Sequence, residues 1–176
     1  MKFSNSRNNT NSRGFTLLEV LVAIVIFAIG LLGIATLQIA GLRFTHGSQL
    51  RLAATMQAEN LIDRMHGNQG GTSDGEYNIT GAMPTTYDTN CGNEVCTAEE
   101  FAAYDLVTWN TENADLLPNG AGVVCIDSTP NDGDSTDWAC DDTGDIYAIK
   151  IGWSERGIGD SEDAELTQRL VMRFVP

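Results

Sequence analysis

Between Met65 and Ile149 there is no lysine or arginine, although the stretch carries 16 acidic residues from Asp74 to Asp145. A surface so short of cations repels phosphate backbones, which excludes nucleic-acid binding, and it opposes docking on anionic lipid. Charge of either sign is missing from Val20 to Leu42, a run too long and too greasy for an ordinary loop or surface helix. Histidine is scarce, with only His46 and His66. They stand twenty residues apart without an evident partner and read as surface residues, not acid–base catalysts. No nucleophile elbow, metal triad or Ser/His/Asp set emerges, which argues against a tethered hydrolase. No cofactor is expected.

What is present is sharply zoned. Lys2, Arg7 and Arg13 precede the apolar run, and the formal net charge of -14 is concentrated behind it. Phe15 to Leu42 is 28 residues, or about 42 Å of helix at 1.5 Å per residue, against the roughly 20 residues that a bilayer core needs. Basic residues stay on the cytoplasmic side, so the leader is expected inside and the acidic domain exported. A cleaved secretory signal has a shorter apolar region; Gly33-Ile34-Ala35 is a weak candidate for its small-x-small site. A plain signal anchor would tolerate Glu19 near the interface, since a carboxylate costs most at mid-membrane, about 2.5–3.5 kcal/mol on insertion scales.

Residues Gly14-Phe15-Thr16-Leu17-Leu18-Glu19-Val20-Leu21-Val22-Ala23 resemble the processing and assembly motif of type IV prepilins and pseudopilins. The resemblance implies that a membrane aspartyl peptidase cuts the Gly14–Phe15 bond and N-methylates Phe15. Glycine at the cut leaves an extended approach to a protease cleft unobstructed. Glu19 would then meet the N-terminal amine of a neighbouring subunit, offsetting desolvation and setting the register between subunits. Implied partners are other pilin subunits, prepilin peptidase and the inner-membrane pilus assembly machinery. The implied location is the bacterial inner membrane, single-pass, with a cytoplasmic N-terminus and a periplasmic head, and then a surface pilus.

Four segments follow: a leader at 1–14, a transmembrane and assembly half-helix at 15–42, an amphipathic half at 43–66 and a globular head at 67–176. Leu50, Ala54, Gln57, Leu61 and Met65 recur at helical steps, leaving Arg51, Glu59, Asp63 and Arg64 to other faces. The helix is expected from Phe15 to His66, ended by Gly67 and Gly70-Gly71. Gly30, Gly33, Gly41 and Gly47 each weaken it by about 1 kcal/mol relative to alanine. In a membrane the first two also permit close helix approach, unless they are lipid-facing filler, and the resemblance implies local melting there on assembly.

In the head, Thr97-Ala98-Glu99-Glu100 is a capping box opening a helix to about Asn113. Phe101, Leu106, Trp109 and Leu116 are its expected core contacts, with Leu117-Pro118-Asn119-Gly120 closing it. Ala121–Ile126 reads as a strand. Ile146–Trp153 alternates with Tyr147, Ile149, Ile151 and Trp153 on one face, and Leu166, Leu170, Met172 and Phe174 mark a last strand with Thr167, Arg169 and Arg173 opposite. Three antiparallel strands against a long helix give a pilin-like α+β roll. Four cysteines in the exported part read as two disulfides. Three pairings exist, and Cys91–Cys96 with Cys125–Cys140 is favoured because each closes a short, turn-rich loop. Zinc is the rival, but the spacings lack close Cys-x-x-Cys pairs.

The segments Cys91-x4-Cys96, Ala103-Tyr104-Asp105-Leu106-x2-Trp109, Leu117-Pro118-Asn119-Gly120-x-Gly122-x2-Cys125 and Tyr147-Ala148-Ile149-Lys150-Ile151-x-Trp153 are similar to the PilV family of minor pilins. That likeness implies a low-abundance subunit that initiates or modifies type IV pili, supporting attachment and twitching motility. A minor pseudopilin of type II secretion shares the helix motif, and an adhesin module would use the Cys125–Cys140 loop. Asp127, Asp132, Asp134, Asp137, Asp141 and Asp142 crowd that loop. No metal is assigned: Asn131-Asp132-Gly133-Asp134 does not match a full EF-hand, and Asp132, Asp134 and Asp137 are the calcium candidates. Asn78-Ile79-Thr80 fits a glycosylation sequon of the kind common by chance.

Overall fold

A computed structural model describes residues 14–134, 137–156 and 165–176; the leader up to residue 13 lies outside the described residues. The chain divides into two compact units, Met1–Leu42 and Arg43–Pro176, and helix α1 (Leu17–Gly67) contributes to both.

In the first unit α1 begins two residues later than expected. Thr16 caps it: its hydroxyl accepts the Glu19 N–H at 3.2 Å, while its carbonyl accepts the N–H groups of Glu19 and Val20. Phe15 therefore precedes the helix. A threonine oxygen satisfying an orphan N–H of the first turn is what an N-cap does. The helix is long and apolar enough to cross a membrane, with a mean hydropathy of 2.9 over its best window and no burial there within the chain.

In the second unit, α1 buries Leu50, Ala54, Gln57, Ala58, Leu61 and Met65, the expected stripe with Ala58 added. Gly70 and Gly71 do not end the helical path. They lie inside a short helix, α2 (Gln69–Asp74), capped by Asn68 and closed by Gly75 in the left-handed region at φ 85°. Gly71 is required by crowding, because a Cβ there would stand 2.5 Å from Asn68 Nδ2 and 2.9 Å from the Ala98 carbonyl. Thr72 turns back and donates its hydroxyl to the Met65 carbonyl at 2.8 Å, satisfying one of the last acceptors of α1.

Helix α3 (Ala98–Leu116) opens on the expected capping box, with Thr97 and Glu100 bonded reciprocally. Its core face is Ala102, Leu106 and Trp109, joined by buried Asp105 and Asn113. Phe101 and Leu116 depart from expectation, at 40% and 55% exposure. Phe101 lies one position off the buried face, and the chain turns extended at Leu117, which takes the core place instead.

Strands β1 (Ala121–Ile126), β2 (Tyr147–Arg156) and β3 (Glu165–Phe174) form one antiparallel sheet in the order β1-β2-β3. Val123 faces Lys150, and Lys150 faces Val171. Tyr147, Ile149, Ile151 and Trp153 enter the core with α1 and α3. The opposite face of β2 is also dry: Ala148 and Lys150 are fully buried. An antiparallel strand with one wet face should alternate; this one does not, because the chain between β1 and β2 folds back over it.

Gly122 fixes how closely β1 approaches α3. A Cβ at that position would lie 2.4 Å from Trp109 Cη2, so Gly122→Ala is expected to overpack the joint. Urea denaturation should show a loss of about 1–3 kcal/mol, against no more than a few tenths for alanine at Gly81, where nothing stands within 4 Å.

Candidate functional site

Gly14 and Phe15 lie ahead of α1 without regular secondary structure, and Phe15 is 82% exposed. Glu19 lies in the first turn of α1, three residues after its Thr16 cap. A carboxylate there complements the positive end of the helix dipole. Beyond it, every residue from Val20 to Leu42 except Ala40 is exposed, so this apolar surface is covered by nothing within the chain. A peptide bond without secondary structure is thus followed by an acid and then by an apolar helix whose surface is of the kind that lipid or other helices cover.

In the head, both disulfides are present, Cys91–Cys96 and Cys125–Cys140. The second closes a loop of a size for which loss of the bridge costs about 3 kcal/mol in the chain-entropy account. The loop it ties keeps Asp132, Asp134, Asp137, Asp141 and Asp142 exposed, as a solvated acidic turn does, and buries only Asp127 of its six acids. Lys150 reaches into it from β2, pairing with Asp127 at 2.5 Å and Asp132 at 3.5 Å and donating to the Trp138 carbonyl at 2.5 Å. From β3, the Arg169 guanidinium donates to the carbonyls of Asn131, Asp132 and Gly133. Asp141 accepts from the N–H and hydroxyl of Ser128, and those bonds hold its carboxyl below the usual range.

Asp132, Asp134 and Asp137 are exposed, and each accepts a hydrogen bond within the loop. Asp132 accepts the Thr129 hydroxyl, Asp134 the Asp137 N–H, and Asp137 the Ala139 N–H. Among the described residues the one close set of metal-type donors is Cys125, Asp127 and Cys140, and its two sulfurs are joined to each other. Asn78 of the sequon is occupied as well: its side-chain carbonyl accepts the Ile126 N–H at 2.8 Å and its amide donates to Asp142 at 2.5 Å. His46 is exposed, and His66 stacks edge-on to Phe174 at 4.9 Å. A cleft of about 490 Å³ beside β1, lined in part by Ile79, Met83, Asn110, Gly122 and Trp138, includes one titratable group, Asp137, which is bonded to Ala139.

A second polar cluster lies in the core. Tyr77 donates to Asp105 at 2.7 Å, and Arg64 pairs with Asp105 at 3.4 Å and Glu112 at 3.1 Å. Desolvation raises the Asp105 pKa, against the lowering effects of the Tyr77 hydrogen bond and Arg64; burial also pushes the Tyr77 hydroxyl well up. Hydrogen bonds pull Glu100, Asp132 and Asp141 down, led by the Thr97 backbone, the Thr129 hydroxyl and the Ser128 hydroxyl respectively. The signs oppose each other. The three lowered acids contribute stability above their unfolded pKa values that fades as pH falls, whereas protonating Asp105 relieves a cost. Thermal melts from roughly pH 6 to pH 3 should therefore fall more steeply for Asp105→Asn than for the native chain.

Sequence reasoning overlooked Lys150, Arg169 and the Arg64–Asp105–Tyr77 cluster. A signal for the first was available: Lys150 is the only lysine after Lys2, and it stands in mid-strand where a long acidic loop precedes it.

Residues 9–35 match a family model described as the prokaryotic N-terminal methylation motif, a span that contains Gly14, Phe15 and Glu19. No curated protein and no solved structure matches the chain. With that motif on a capped apolar helix, and a disulfide-bonded three-stranded head behind it, the chain carries the N-terminal signature of type IV prepilin-like proteins on a pilin-like α+β fold.

Proposed function

We propose that this chain is a minor type IV pilin, a structural subunit that helps initiate or modify pili and has no catalysis of its own. The observation that carries the reading is the junction at Gly14–Phe15 followed by Glu19 and an apolar helix surface that nothing in the chain covers. Prepilin peptidase cuts after Gly14 and methylates Phe15. The retained helix holds the subunit in the inner membrane until Glu19 pairs with the amine of an adjacent subunit and draws the chain into a fibre. The PilV-like head segments favour a pilus over a secretion pseudopilus, and the loop folded onto Lys150 and Arg169 gives the head a compact surface suited to packing in a filament.

The test is deletion of the gene, with piliation and secreted-enzyme export scored together. Loss or shortening of pili with normal export is the expected result. Normal pili with lost export would replace this reading by that of a minor pseudopilin. Normal pili that no longer adhere, after removal of residues 127–139 alone, would move the role to adhesion.

A further inference from the structure

Lys150 and Asp127 form a close ion pair sealed from solvent, with the Trp138 carbonyl as a further acceptor for Nζ. Both side chains have no exposure, and Nζ stands 2.5 Å from Asp127 Oδ2. Yet that oxygen accepts no hydrogen bond of normal geometry from any described residue. The other oxygen, Oδ1, accepts the Thr129 N–H at 2.9 Å. A second carboxylate stands beside the nitrogen: Asp132 Oδ1 is 3.5 Å from Nζ, and its side chain is about half exposed, giving a path to water. An amine, a carboxyl carbon, a donor on the oxygen that would gain charge and a neighbouring proton carrier are therefore assembled in one dry place.

We propose that Lys150 and Asp127 condense into an intramolecular isopeptide bond, with Asp132 carrying the proton. The Lys150 Nζ–Asp127 Cγ bond forms and the Cγ–Oδ2 bond breaks. The ammonium gives up two protons, one directly to Oδ2 and one by way of Asp132, and Oδ2 leaves as water. No oxidant or cofactor is required. Through the tetrahedral stage the negative charge gathers on Oδ1, where the Thr129 N–H already points. Holding amine and carboxyl in contact supplies the large effective molarity that the same groups lack in solution. The product also replaces two buried charges, which are costly in a dry interior, by a neutral amide. The link would join the loop after β1 to the centre of β2, next to the Cys125–Cys140 bridge.

Mass spectrometry of the purified chain decides the matter. The expected result is a mass lower by one water, about 18 Da, beyond the loss from two disulfides, with a branched peptide joining residues 127 and 150 that survives reduction. Lys150→Arg should restore the full mass. Asp132→Asn should restore it too, with the fold kept by circular dichroism; a link that still forms in Asp132→Asn would remove Asp132 from the mechanism. In the native chain, full mass and a Lys150 amine that reacts with an acylating reagent in denaturant would overturn the proposal.

Discussion

A chain carrying Glu19→Ala should be cut at Gly14, remain in the membrane fraction and be depleted from sheared filaments by at least about tenfold. The expectation follows from where the acid stands. Thr16 caps α1, so Glu19 falls in the first helical turn, four residues after Phe15, whose amine the proposed cut would free. Around it the helix is apolar and uncovered, and in lipid a carboxylate without a cation is costly. On the proposed reading, pairing across subunits removes that cost only in the assembled state, which would make it a driving contact for assembly. Glu19→Gln keeps the size and hydrogen bonding but not the charge, and should fail almost as badly. Gly14→Val should give the opposite phenotype, with the leader retained on the membrane-bound chain. Native levels of Glu19→Ala in filaments would end the pairing account.

The head is expected to be most sensitive at Trp109. Its indole is fully buried, its Nε1–H donates to the Gln57 carbonyl of α1 at 2.8 Å, and its ring lies on Gly122 of β1. One side chain thus joins α1, α3 and the sheet. Trp109→Ala should cost about 3–5 kcal/mol, a large share of the 5–15 kcal/mol that typically separates folded from unfolded domains. Urea melts of the detergent-solubilised chain, followed by near-UV circular dichroism, should show the transition moved to much lower denaturant or absent. Trp109→Phe retains most of the volume and should lose little more than the hydrogen bond, about 1 kcal/mol. Equal losses for the two variants would mean that the hydrogen bond, not the packing, holds the joint.

Patterns that depend on near neighbours were readable from the chain. The helical stripe from Leu50 to Met65, the Thr97 capping box and the bounds of β1 need only local spacing and local hydrogen bonds. Leu116 was misplaced because the face of a helix does not reveal where the chain will leave it; Leu117 does that work one residue later. Gly70 and Gly71 were read as a stop, whereas the tight passage beneath Ala98 makes small residues necessary within a helix. In the acidic loop five of the six carboxylates are exposed, as their density suggests. What spacing does not show is that Lys150 buries itself against Asp127 and that Arg169 binds the loop's backbone carbonyls, because both arrive from strands distant in sequence. At the N-terminal junction the motif was legible in full, but the start of α1 at Leu17 was not, since Thr16 had been counted inside the helix.

The double cover on β2 bears on how the head matures. Cys125 and Cys140 precede Lys150 and Arg169 in the order of synthesis, so the bridge can close over a sheet that does not yet exist. During that interval the loop has its acids in water and no cation to gather them. Only when the final twelve residues bring β3 alongside β2 does the lid acquire something to shut upon. Truncation at the carboxyl end, which removes β3 and with it Arg169, would therefore leave an oxidised head whose loop lacks the contacts that hold it to the sheet.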